Sequence, residues 1–132
     1  MTEFTPGLIG EVEHLVTEQD VATRWGSGLV PVYSTPALVG LMEWAAAEAL
    51  SGRLPAGYTT VGGRIAVRHL AATPVGMKVR ARAELIQVEG RKLTFRIEAW
   101  DERERIGEAE HDRFLVEEAR FMAKVQAKLL QA

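Results

Sequence analysis

Glu43 stands between Met42 and Trp44, in a stretch that is apolar almost all the way round. A carboxylate taken out of water is costly unless it is paired, hydrogen-bonded or protonated. Such a group either ties its helix to a backbone N–H or works as a base or nucleophile. His69 is the second residue of this kind. It falls on the more apolar face of an alternating stretch, where an imidazole is either a satisfied core group or a general acid–base. Thr35, just before Pro36, offers a hydroxyl suited to capping a helix start. Gly62 and Gly63 carry no side chains and let a ligand approach strand backbone. The remaining candidates are weaker. His14 and His111 are not spaced as metal ligands with each other or with His69 on any one element. Arg64, Arg68, Lys78, Arg80, Arg82, Arg91 and Lys92 read mainly as a solvated sheet face. Without a single cysteine there are no disulfides, thiolate metal sites or cysteine nucleophiles.

The elements that position these groups follow from periodicity. Residues 35–50 read as one long helix, with Val39, Met42, Ala46 and Ala49 on one face. Leu38, Leu41, Trp44, Ala45 and Leu50 leave little room for a wet one, so burial on most sides is expected. It ends near Ser51-Gly52, with glycine as the expected cap. Before it come a strand from Leu8 to Val16, a short helix from Thr17 to about Trp25, and a break at Gly26-Ser27-Gly28. After it, Tyr58 to Leu70 alternates as a strand, with Val61, Gly63, Ile65, Val67 and His69 predicted to face the helix. Strands at Met77–Val88 and Lys92–Trp100 meet in a tight hairpin at Glu89-Gly90. Arg105 to Val116 is the last strand, and Glu118 to Leu130 an amphipathic helix with Phe121, Val125 and Leu129 on one side.

This order predicts an α+β fold, a long central helix wrapped by a mostly antiparallel sheet. So small a sheet covers only part of such a helix, and a second subunit is expected on the rest. Thr35 and Glu43 lie eight residues apart, about 12 Å along a straight helix. Either Thr35 precedes the helix, or the set is completed across a dimer interface.

A chain of 132 residues reads as a single domain over 1–132. Hydrophobic content of 47% and charged content of 26% are those of a globular protein. A net charge of -2 gives no case for a nucleic-acid partner or an acidic membrane surface. The first residues carry neither a basic segment nor an apolar run, so no signal peptide is expected, and the cytoplasm is. The helix at 35–50 is too short, and too acidic, for a membrane span.

Three stretches together carry a resemblance: 32–43 (VYSTPALVGLME), 61–76 (VGGRIAVRHLAATPVG) and 107–113 (GEAEHDR). Over roughly residues 10–116 the chain resembles the hotdog-fold thioesterases related to fluoroacetyl-CoA thioesterase. The resemblance implies a dimer of helix-in-sheet protomers that hydrolyses acyl-CoA thioesters without a metal. It assigns catalysis to Thr35, Glu43 and His69, and substrate binding to Gly62 and Arg113. Gly63, beside Gly62, is added on backbone access. No cofactor is implied beyond the coenzyme A of the substrate. Thioester hydrolysis needs an activated water or a nucleophile, and a site for the developing oxyanion. Glu43 suits the first role, His69 a proton shuttle, and a strand N–H near Gly62 the second. The lid region, aromatic in the fluoroacetyl-selective enzyme, here reads Gly26-Ser27-Gly28-Leu29, so a different small or medium acyl group is expected. Two other readings compete: a hotdog protein that binds acyl-CoA without turnover, and an enoyl-CoA hydratase or dehydratase. The latter ranks lower because no second inward His or Asp neighbours His69 on its strand.

Overall fold

The computed structural model describes residues 4–130; residues 1–3 of the opening segment and residues 131–132 lie outside the described part. Five strands, β1 (Ile9–Leu15), β2 (Tyr58–His69), β3 (Lys78–Glu89), β4 (Lys92–Trp100) and β5 (Arg105–Glu117), form one antiparallel sheet in the order β1-β3-β4-β5-β2. Helices α1 (Ala22–Trp25), α2 (Thr35–Ala49) and α3 (Glu118–Gln126) complete the chain, and α2 packs on the sheet. No helix among the described residues is long and apolar enough to cross a membrane.

Ser34, not Thr35, caps α2. Its hydroxyl accepts the Ala37 N–H at 3.2 Å, while Thr35 is already the first helical residue. The tighter approach is at the other end, where Ala45 and Ala49 meet β1. A Cβ on Gly10 would run into the Ala45 carbonyl and the Ala49 backbone, so glycine is required there by space alone. Leu38, Met42, Ala45 and Ala46 are fully buried against Ala81, Ala83, Phe95 and Ile97. Each large buried side chain contributes about 2 kcal/mol. The expectation that α2 is covered on most sides is corrected for the single chain. Gly40, Trp44 and Glu48 are exposed, Trp44 by 50%, and Val39, Glu43 and Ala47 are half-buried.

β2 also departs from simple alternation. Gly62 pairs with Arg113 and Arg64 with Asp112, leaving Gly63 as a bulge. Beyond the bulge Ile65, Val67 and His69 face α2 as predicted. Before it, Thr60 and Gly62 face inward and Val61 and Gly63 outward, where the Phe114 ring lies over Gly63.

The single helix expected from Thr17 to about Trp25 is two short pieces. A 3-10 turn at Glu18–Asp20, closed by a Thr17–Asp20 capping box, is separated from α1 by Val21, which bridges Tyr33. The C-terminal helix is shorter than expected, with a 3-10 turn at Ala127–Leu130, and none of its residues is buried. The β3–β4 hairpin closes as predicted, with Glu89 opposite Lys92 and Gly90 at φ +62.

Candidate active site

Backbone bonds fix the start of α2 beside the end of β2. The Tyr33 N–H donates to the Thr73 carbonyl at 2.9 Å and the Ser34 N–H to the Asp20 carbonyl at 2.9 Å. The buried Thr73 hydroxyl donates in turn to Asp101 at 2.8 Å, tying this loop to the β4–β5 turn. Because Ser34 does the capping, the Thr35 hydroxyl is free, and it lies 2.8 Å from His69 Nδ1. The other ring nitrogen of His69, Nε2, is buried and without a hydrogen-bond partner. Burial pushes this imidazole below the ordinary histidine range, opposed in part by the Ala71 backbone. The ring is therefore neutral at neutral pH, with Nδ1 occupied and Nε2 available for proton transfer. A cleft of about 390 Å³ opens beside the pair, with Val30, Val32, Leu70 and Ala72 in its walls. The Gly26–Leu29 loop lends Ser27 and Gly28 to that cleft, while Leu29 itself is 96% exposed.

Glu43 is not in this cluster. Two turns further along α2 it reaches the inner face of β2 at Gly62, where a Cβ would lie 2.7 Å from Glu43 Oε2 and 3.6 Å from Arg113 Nη1. Arg113 donates from Nε to the Thr60 hydroxyl at 2.9 Å and from Nη2 to the Thr60 carbonyl at 3.0 Å. Its Nη1 lies 3.3 Å from His111 Nε2, and His111 Nδ1 is 2.7 Å from the Arg64 carbonyl. A carbonyl only accepts, so Nδ1 of His111 carries the proton and Nε2 accepts from Arg113. Burial pushes His111 below the ordinary histidine range, partly offset by that Arg64 bond. Burial also lowers the Arg113 value, and Glu43 opposes it.

The candidate residues thus fall into two groups: Thr35 with His69, and Glu43 with Gly62 and Arg113. Gly63 joins neither, because the bulge turns it to the outer face; its predicted place on the helix-facing side, read from plain alternation, is corrected. Thr60 and His111 belong to the second group. The sequence sets His111 aside as a metal ligand and does not single out Thr60, although Thr60 lies two residues before Gly62 on the same face. The Lys and Arg residues read as a solvated face behave as one where pairing is visible. A depression of about 410 Å³ on the outer sheet face is walled by Arg68, Arg96, Glu98, Arg105, Glu108 and Glu110. Arg68 with Glu108 at 3.0 Å and Arg105 with Glu98 at 3.0 Å leave little uncompensated charge there. His14 pairs with Asp20 at 2.8 Å.

Comparison with known proteins places the chain. The family profile of FlK, fluoroacetyl-CoA-specific thioesterase, matches residues 16–119. The fluoroacetyl-CoA thioesterase of Streptantibioticus cattleyicolor is 43% identical over 97 residues, which are 74% of this chain and 70% of that protein. A solved mutant form of the fluoroacetyl-CoA-specific thioesterase superimposes with a TM-score of 0.89 at 33% identity, covering 97% of this chain and 99% of that one. A hot-dog-like protein from Thermanaerovibrio acidaminovorans matches with a TM-score of 0.86 at 26% identity, covering 95% and 93%. The chain belongs to the fluoroacetyl-CoA-specific thioesterase family and has the hotdog fold.

Proposed function

We propose that this acyl-CoA thioester hydrolase cleaves a small or medium acyl group from coenzyme A, without a metal, in a site built by two copies of the chain. The observation that carries the reading is the separation of the two groups. Thr35 with His69 sits at one end of β2, and Glu43 with Gly62 and Arg113 at the other. Within one chain they are about 20 Å apart along the strand, too far to act on one carbonyl. β2 is an edge strand of 12 residues, and a free edge of that length invites pairing. Two β2 edges meeting antiparallel about a two-fold axis bring the His69 end of one to the Gly62 end of the other. Val39 and Ala47, one turn on either side of Glu43 on α2, are only half-buried and support a second copy at that side.

In the completed site, the thioester carbonyl lies against Gly62, where backbone N–H and Arg113 stabilise the developing oxyanion. Glu43 takes a proton from the attacking water, or attacks the carbonyl itself to give an anhydride that water then opens. His69, neutral at rest with its ring held by Thr35, accepts at Nε2 the proton that the water releases and delivers it to the coenzyme A sulfur freed when the C–S bond breaks. The products are the free acid and coenzyme A. Carboxylate, imidazole, hydroxyl and guanidinium suffice for these steps, and no three His, Asp or Glu side chains converge as metal ligands among the described residues. The cleft of about 390 Å³, with Val30, Val32, Leu70 and Ala72 among its walls, supports a short or medium acyl chain.

The test is thiol release from a panel of acyl-CoAs, acetyl to long chain, by wild type, Glu43→Ala and His69→Ala. Turnover that both substitutions abolish is expected. Binding without turnover at every chain length would make the protein an acyl-CoA carrier instead. Turnover in isotopic water then separates the two roles of Glu43: label entering its carboxylate marks direct attack.

A further inference from the structure

We propose that Thr60 and His111 are positioning residues for this reaction: they grip the Arg113 guanidinium on both sides of its fork and fix Nη1 beside Gly62 and Glu43. The inference deepens the thioesterase reading and rests on it. Arginine has five N–H donors in a rigid plane. Thr60 takes one edge of that plane through two acceptors, its hydroxyl at 2.9 Å from Nε and its carbonyl at 3.0 Å from Nη2. His111 takes Nη1 at 3.3 Å. That contact requires an imidazole with a lone pair on Nε2, and the Arg64 carbonyl, 2.7 Å from Nδ1, selects this tautomer. Arg64 directly follows the Gly63 bulge, so the same backbone irregularity that turns Gly62 inward also sets the carbonyl that orients His111.

Both supports are buried, Thr60 at 9% and His111 at 1% exposure, so neither meets solvent as a surface pair does. Three of the five donors are committed, one remains free on Nη1, and Nη1 lies on the Gly62 side. A long side chain gains directional value only when its rotamers are restricted before the substrate arrives. Arg113 set this way offers a donor to a reacting oxygen without reorganising. Neither Thr60 nor His111 needs to touch substrate to do this.

Double-mutant cycles test the inference. Thr60→Val removes the hydroxyl at nearly constant volume, and His111→Phe removes the ring acceptor. Each is expected to lower kcat/KM about tenfold in the wild-type background. Each should change it less than about twofold when Arg113 is already Ala. Thr60→Ser should retain activity within about twofold of wild type. Costs that multiply in both backgrounds would assign Thr60 and His111 to the core alone and overturn the proposal. A second readout does not depend on turnover. The Arg113 Nε–H, followed by nuclear magnetic resonance, should exchange slowly with water in wild type and Thr60→Ser, and quickly in Thr60→Val. Fast exchange in wild type would also sink the proposal. If wild type releases no thiol from any acyl-CoA, the hydrolase reading fails by itself. The cycles are then read on acyl-CoA affinity, with the same expected non-additivity.

Discussion

Ser34 and Thr35 are adjacent hydroxyls with separable tasks, the first capping α2 and the second meeting His69. Ser34 stabilises the helix start, so Ser34→Ala should cost about 1 kcal/mol of stability and leave thiol release near wild type. Thr35→Val should do the reverse, lowering kcat while the melting temperature holds; equal stability losses at both positions would contradict this division. The pH dependence follows from His69. Its folded value lies below the ordinary 6.5 because the ring is buried, and proton transfer needs the neutral form. kcat/KM should therefore be level above about pH 6.5 and fall on the acid side, and the fall should not rise to higher pH in any active variant that keeps the ring buried. Gly62 is the most sensitive position for its size. Gly62→Ala places a methyl 2.7 Å from Glu43 Oε2, displacing the carboxylate, and should lower turnover about a hundredfold with the fold retained by circular dichroism. Glu43 and His69 were legible as single residues because each contradicts its apolar surroundings. Thr60 was not, because a threonine in a strand is unremarkable until its partner across the sheet is known.

At the scale of elements, the long helix and all five strands were legible, since apolar runs and period-two alternation are properties of each segment alone. What was hidden depends on partners. The bulge at Gly63 is defined by pairing with β5, and the glycine pair at 62 and 63 was the only local sign of it. The sheet order, with β2 beside β5 at an edge, arises from which strands share the helix. The requirement at Gly10 likewise belongs to a crossing rather than a strand. There the β1 backbone touches the Ala45 and Ala49 backbone, and neither chain segment can yield as a flexible side chain would. Gly10→Ala should destabilise the fold by about 2 kcal/mol, read as a fall of several degrees in Tm. An unchanged Tm would mean that β1 and α2 separate easily.

For the molecule as a whole, acid should be more damaging than base near neutrality. Burial holds both His69 and His111 below 6.5 in the folded chain, so the unfolded chain binds protons that the folded one refuses. Their contribution to stability is complete above about pH 6.5 and is lost as pH falls further; Tm should be lower at pH 5.5 than at pH 7.5. Complementation addresses the shared site. His69→Ala mixed with Glu43→Ala after dissociation and reassembly should regain roughly a quarter of wild-type turnover, since half the dimers carry one intact site of two. No recovery would place the reaction within one chain. The bulge has a last consequence, one of parity. Gly62 and His69 are separated by seven positions, an odd count, which on an unbroken strand points two residues to opposite sides. Gly63 makes the odd count behave as an even one. Removing it would not disturb the ladder, because Gly62 already faces Arg113 and Arg64 already faces Asp112. Both groups would still look toward α2 at an unchanged spacing, because the six steps from Arg113 to Gly107 on β5 set it. That glycine absorbs the odd residue, while the ladder on either side of it sets both reach and aim.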